Sequence, residues 1–252
     1  MMNEMRLRAW VYTREQLAAA LESTGTEAVY APSELLCADN ADSADRLIAL
    51  TPEFLGGAED KTKRELLRIK ELGFTHALAH TVGHIELLDK AGFTVHGGMR
   101  LNCTNSEAMR FFAECGLCDI IVSQELTVQR INSLEKPIPT GFIAYGKTAL
   151  MLNRRCPVRD GRPCGGKDRS CDRQMTDRKG NKLNVLCSEN SVEILNSDTL
   201  ILSDRLADFR ADFAVLRFTT ETDTAAVTEN YRKGRPPFRE HFTRGLYYRG
   251  VS

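Results

Sequence analysis

One pattern recurs through the first half of the chain: a helical stretch, a glycine, then a short apolar run. It stands as "ALESTGTEAVYAP", "IKELGFTHALAH", "LDKAGFTVHGG" and "AECGLCDIIVS". Gly25, Gly73, Gly92 and Gly116 sit where a helix end calls for a left-handed residue. The stretches before them carry helical spacing, as in Leu66, Ile69 and Leu72, or Ala108, Phe111, Phe112 and Cys115. Capping boxes are expected at Thr13-x-x-Gln16 and Thr104-x-x-Glu107. The apolar runs are short and continuous, as strands buried on both faces should be. Counting them gives "LRAWVYT", "AVYA", "LIALT", "HALAH", "TVHGG", "DIIVS", "PTGFIAYG" and, much later, "FAVLRF". Eight such strands in 252 residues predict an α/β fold, a (β/α)8 TIM-like barrel, ahead of an open doubly wound sheet.

Lys147 to Cys187 breaks the rhythm. Between Lys147 and Lys182 eleven Lys and Arg face four Asp, a local excess of seven positive charges, although 34 basic residues balance 34 acidic ones over the whole chain. The overall charge therefore makes no case for nucleic acid or membrane, while this segment could dock RNA phosphates. It reads as a Cys-rich insertion after the seventh strand, with a hairpin at Lys179-Gly180-Asn181. The basic, aromatic stretch 232–252, with two adjacent prolines, reads as a tail packed on one barrel domain spanning 1–252. No apolar run approaches the ~20 residues of a membrane helix, and the opening residues lack a signal-peptide core, so a cytoplasmic location is expected.

The insertion holds Cys156, Cys164, Cys171 and Cys187, spaced C-x7-C-x6-C-x15-C. So polar a segment has little apolar surface to fix its shape, and metal–thiolate bonds would supply what a core does not. Structural zinc favours tighter knuckles, whereas wide gaps suit an iron–sulfur cubane. Zinc and unliganded thiols remain open. Cys115 and Cys118 read as small buried hydrophobes.

Strand C-termini of a barrel face its ligand. Those positions offer Glu53, His80, Asn102, Asn105, Glu125, Tyr145 and Arg217, a set suited to a polar or anionic small molecule. Arg217 stands out, because a charge inside "VLRFT" needs a partner or ligand. His76, His80 and His84 straddle a strand end, which disfavours a zinc triad. Zincin, serine hydrolase, P-loop and dinucleotide signatures are absent.

"YGKTALMLNRRCPV", "LNCTNSEAMRFFAECGLCDIIVSQELT", the spaced cysteines, "TDRKG" and "FTRGLYYRGV" resemble the collagenase-like peptidase family U32, the last two its long two-module members. The likeness is good over about residues 90–251 and only in outline before that. It implies a [4Fe-4S] cluster on Cys156, Cys164, Cys171 and Cys187. It also implies oxygen-independent hydroxylation, of a tRNA or rRNA base or of a quinone precursor. In that setting Glu125, Tyr145 and Arg217 would be catalytic and Asn102, Asn105, His80 and Glu53 would bind substrate. The family label implies collagenase-like proteolysis as the alternative. A third role is a non-catalytic, metal-stabilised barrel paired with a related U32 module.

Overall fold

The computed structural model describes residues 5–158, 170–188, 191–219, 221–235 and 241–250, with backbone only at 170–173. In chain order its strands are β1 (Arg6–Trp10), β2 (Ala28–Pro32), β3 (Leu47–Leu50), β4 (His76–Ala79), β5 (Thr94–Gly97), β6 (Asp119–Ile121) and β7 (Thr140–Asn153). They continue as β8 (Ser170–Thr176), β9 (Lys182–Cys187), β10 (Val192–Ile201), β11 (Phe213–Arg217) and β12 (Phe242–Thr243). Its α-helices are α1 (Arg14–Glu22), α2 (Glu59–Glu71), α3 (Val82–Lys90), α4 (Ser106–Glu114), α5 (Val128–Ser133) and α6 (Thr224–Arg232).

Strands β1 to β7 pair in sequence and in parallel, and β11 closes the ring by pairing with both β7 and β1. The result is an eight-stranded (β/α)8 barrel. The staves are buried along almost their whole length, as continuous runs such as "LIAL" and "DII" require. In α2, Thr62, Leu66 and Ile69 face the barrel at helical spacing, with acidic residues in the first turn and basic ones in the last.

The helix ends are where local expectation meets tertiary structure. Gly73, Gly92 and Gly116 adopt φ of +93°, +75° and +87°, the left-handed stops that the sequence predicts. Gly25 does not, because α1 already ends in an extended Ser23. The Thr13–Gln16 capping box forms. The second box does not form: Asn105, not Thr104, caps α4 by accepting from the Ala108 amide at 2.8 Å. Between β2 and β3 the Asp-rich "ADNADSADR" makes only 3-10 turns, since short polar side chains compete for backbone hydrogen bonds.

β7 belongs to two structures. Its first half is the seventh stave; its second half leaves the barrel and pairs antiparallel with β10, which pairs with β9, which pairs with β8. Gly146 makes the departure possible. Its φ is +115°, and a Cβ there would come within 2.0 Å of the Arg217 carbonyl oxygen. Gly141 meets a similar demand lower down, where a Cβ would overlap the Phe213 ring. The β8–β9 hairpin turns at the expected place, with Asp177 accepting from the Lys179 and Asn181 amides at 2.8 and 2.9 Å. The tail packs back along β10 through β12, and the buried Tyr247 hydroxyl donates to the Ile143 carbonyl at 2.8 Å.

Candidate functional site

The C-terminal mouth of the barrel is closed by ionised side chains rather than by hydrocarbon. Arg217, the last residue of β11, pairs with Glu193 of β10; Arg100, just past β5, pairs with Glu193 and with Glu53, just past β3. Glu193 reaches the mouth because β10, paired with the second half of β7, lies over it. The Tyr12 hydroxyl accepts from Arg217 at 2.6 Å. His80, at the end of β4, lies 3.7 Å from Glu53. Burial pushes the Glu53 carboxyl up to about 7, against the pull of Arg100 and with help from Glu193. Burial also works to raise Glu193, but Arg217 and Arg100 outweigh it and hold that carboxyl below its usual range. His80 is driven down to about 3, first by burial and then by Arg100, so it stays neutral.

Several polar atoms around this network have no hydrogen-bond partner: Trp10 Nε1, His80 Nδ1, His84 Nε2 and Arg217 Nη1. They are neighbours. The Arg217 guanidinium sits 5.5 Å from the Trp10 ring centroid, Trp10 lies 5.8 Å from His80, and His80 6.4 Å from His84. Buried donors left unmade are costly, so their concentration here marks a place where a polar group can be received.

Beside the mouth opens a cavity of about 520 Å³, bounded by Arg100, Asn102 and Glu125, by Thr148–Leu150 of β7 and by the tail residues Tyr247 and Arg249. Asn102 is the only non-glycine residue at positive φ among those described, at +50°. This strained turn presents it at the cavity edge. Glu125 precedes α5, which begins at Val128 behind the Thr127 cap, so it is an exposed cavity residue and not the opening of that helix. Two expected site residues lie elsewhere. Tyr145 is wholly buried against Phe218 and Tyr231 and does not line the cavity. Asn105 is occupied as the α4 cap.

The histidines separate as the strand end suggested: His84 caps α3 by accepting from the Thr81 amide, His80 is at the mouth, and His76 is at the opposite end of β4. There a second charged group had no counterpart among the sequence candidates. Arg8 of β1 binds Asp119 at 2.6 Å and Glu27 at 2.8 Å, Tyr30 accepts from Arg8 at 3.0 Å, and His96 contacts Asp119 at 2.9 Å. Burial alone would raise Asp119, yet His96 and Arg8 hold it low.

Of the four insertion cysteines, Cys164 lies outside the described residues and only the backbone of Cys171 is described. Cys187 ends β9 opposite Val192, and Val192 lies opposite Asn153, three residues before Cys156. Cys171 of β8 lies opposite Val185, two residues from Cys187 along β9. Three cysteine positions thus stand at one end of the β7–β10–β9–β8 sheet. Of the eleven basic residues there, Lys147 donates to the Asn196 and Ser197 carbonyls and Arg154 to that of Gly56. Arg155, Arg178, Lys179 and Lys182 are exposed.

Residues 55–162 match the model of peptidase family U32. Over these residues the chain is similar to that family. The U32 segment starts ahead of α2, earlier than the quoted motifs, and ends after Cys156. It takes in His80, Arg100, Asn102 and Glu125 and leaves Glu193 and Arg217 beyond it. A solved structure of the U32 peptidase Mk0906 is similar at 13% identity, covering 88% of this chain and 96% of that one, with a TM-score of 0.49. No curated protein matches the chain. Among the described residues, no helix is long and apolar enough to cross a membrane.

Proposed function

We propose that this U32-like chain is the iron–sulfur module of an enzyme that hydroxylates a base in RNA without dioxygen, the oxygen atom coming from a bound small-molecule hydroxyl donor. Cys156, Cys164, Cys171 and Cys187 would hold the [4Fe-4S] cluster. The observation that carries this reading is the gathering of Cys156, Cys171 and Cys187 at one end of a sheet whose strand β10 also delivers Glu193 to the barrel mouth. Strands run about 4.8 Å apart and side chains alternate between faces. Cys187, Val192 and Asn153, directly opposed, therefore share one face, and Glu193 takes the other. On the cysteine face the Asn153 Nδ2 is buried without a partner, a donor suited to a cluster sulfur or thiolate. The residues fit such a group, which supplies single electrons when bound.

The rest falls to the chain's own groups. Asn102, Glu125 and Arg249 line the cavity in which a substrate base is held. Glu53, with a carboxyl near 7, can hold or release a proton at neutral pH. Arg155, Arg178, Lys179 and Lys182 provide phosphate contacts, and the related module expected from the long family members is the protein partner.

Anaerobically prepared protein should contain about four iron and four sulfide per chain and lose its visible absorbance in a Cys171→Ser variant. Colourless, zinc-loaded protein would overturn the reading. Hydrolysis of peptides is a second reading, favoured by Glu53 titrating near neutrality beside an uncharged His80. Peptide cleavage that persists through purification and vanishes in a folded Glu53→Gln variant would replace the first reading with this one.

A further inference from the structure

At the N-terminal end of the barrel, three kinds of donor atom converge. Asp119 opens β6, Cys118 precedes it, and His96 of β5 lies directly across from Asp119. His96 Nδ1 is 2.9 Å from both Asp119 oxygens and 3.3 Å from Cys118 Sγ. All three side chains offer ligand atoms within 4.8 Å of one another. An imidazole nitrogen carries at most one proton, so it cannot satisfy the sulfur and the carboxylate together by hydrogen bonding.

The other ring nitrogen, His96 Nε2, is 3.0 Å from His76 Nδ1. With its proton on Nε2, His96 donates to His76 and turns an unprotonated Nδ1 toward Cys118 and Asp119. That is the tautomer a metal requires, held by a neighbour outside the ligand set. Arg8 engages Asp119 Oδ2 and leaves Oδ1 available. Arg8 also reaches Glu27, which Arg6 pairs from its other oxygen, so Asp119 does not carry the Arg8 charge alone.

We propose that His96 Nδ1, Cys118 Sγ and Asp119 Oδ1 bind a zinc-class divalent transition-metal ion. Nitrogen, thiolate and carboxylate donors suit zinc over magnesium or calcium, and three protein ligands leave a fourth position for water. The site lies at the end of the barrel that serves stability, far along the staves from the mouth, and acts as a staple between β5 and β6.

The test uses the full chain carrying Cys171→Ser, which takes one thiolate from the insertion, titrated with cobalt(II) and read by metal analysis and thiolate-to-cobalt absorption as the difference from the same chain with Cys118→Ser added. One bound equivalent with that absorption is expected. Adding Cys118→Ser should abolish it, and His76→Ala should weaken binding 10–100-fold. If the Cys171→Ser chain does not fold, the same one-equivalent difference is read between folded wild type and folded Cys118→Ser. A folded Cys171→Ser chain that binds no cobalt, or Cys118→Ser protein that keeps the equivalent and its absorption, overturns the site. Neither result bears on the cluster, whose readout is iron and sulfide.

Discussion

The two ends of this barrel bury similar charges and treat them differently. At the N-terminal end, Arg8 is shared among Asp119, Glu27 and Tyr30, each at hydrogen-bond distance, and Glu27 and His76 carry the network out toward solvent. At the mouth, Arg217 and Glu193 are buried, and the atoms left without partners include Arg217 Nη1 itself and those of its neighbours. An arginine shared among three partners holds staves together. One that keeps spare donors in a dry place is poised to receive something. The contrast follows the general division of barrels into a stabilising face and a reactive one, here stated in hydrogen bonds.

The largest effect should come from Arg217→Leu. It strips Glu193 of one of its two cations inside a sealed mouth and should cost about 3–5 kcal/mol in urea denaturation. Arg8→Met should cost less, about 2 kcal/mol, because Asp119 keeps His96 and Glu27 is partly solvated. Equal losses would erase the distinction between the ends.

A pH experiment sharpens the contrast next. The Glu53 carboxyl rises from an ordinary 4.5 to about 7 in the fold, so the folded state keeps a proton that the unfolded chain releases. Its contribution is complete below about pH 4.5, is lost as pH climbs toward about 7, and is flat above. Buried, neutral His80 and His84 act in the opposite sense below 6.5, because they resist charging. The quantity to measure is thus wild type minus Glu53→Gln, which should fall across that window by on the order of 1–2 kcal/mol. A flat difference would mean that Glu53 is ionised at the mouth throughout. The smallest effect serves as a reference outside both networks: Thr13→Ala, which removes the α1 cap, should cost about 1 kcal/mol.

The staves were legible because each is a short apolar run, three of them set off by a glycine stop, and such runs have few alternatives. Arg217 was legible for the converse reason, as a charge with no business in an apolar strand. The same signal was present in Arg8 of "LRAWVY", in Asp119 ahead of "IIV" and in Glu193 of "SVEIL", but a lone charge does not reveal which distant charge it meets. Arg8 and Asp119 are 111 residues apart and join only when the ring closes. Tyr145 misled because counting to a strand end presumes that the strand ends, whereas β7 runs eight residues beyond it. Cys118 looked like filler because its partner His96 comes from another strand.

That continuing strand has a consequence for how the molecule comes together. A stave shared with a second sheet ties the sealing of the barrel to the ordering of the cysteine segment, for until β10 docks, the inner guanidinium of the eighth stave has no counter-charge. Excising the second sheet, β10 included, would leave the barrel halves of the staves in place yet strip Glu193 from the ring. The pairing of that second sheet therefore also governs when the barrel is finished.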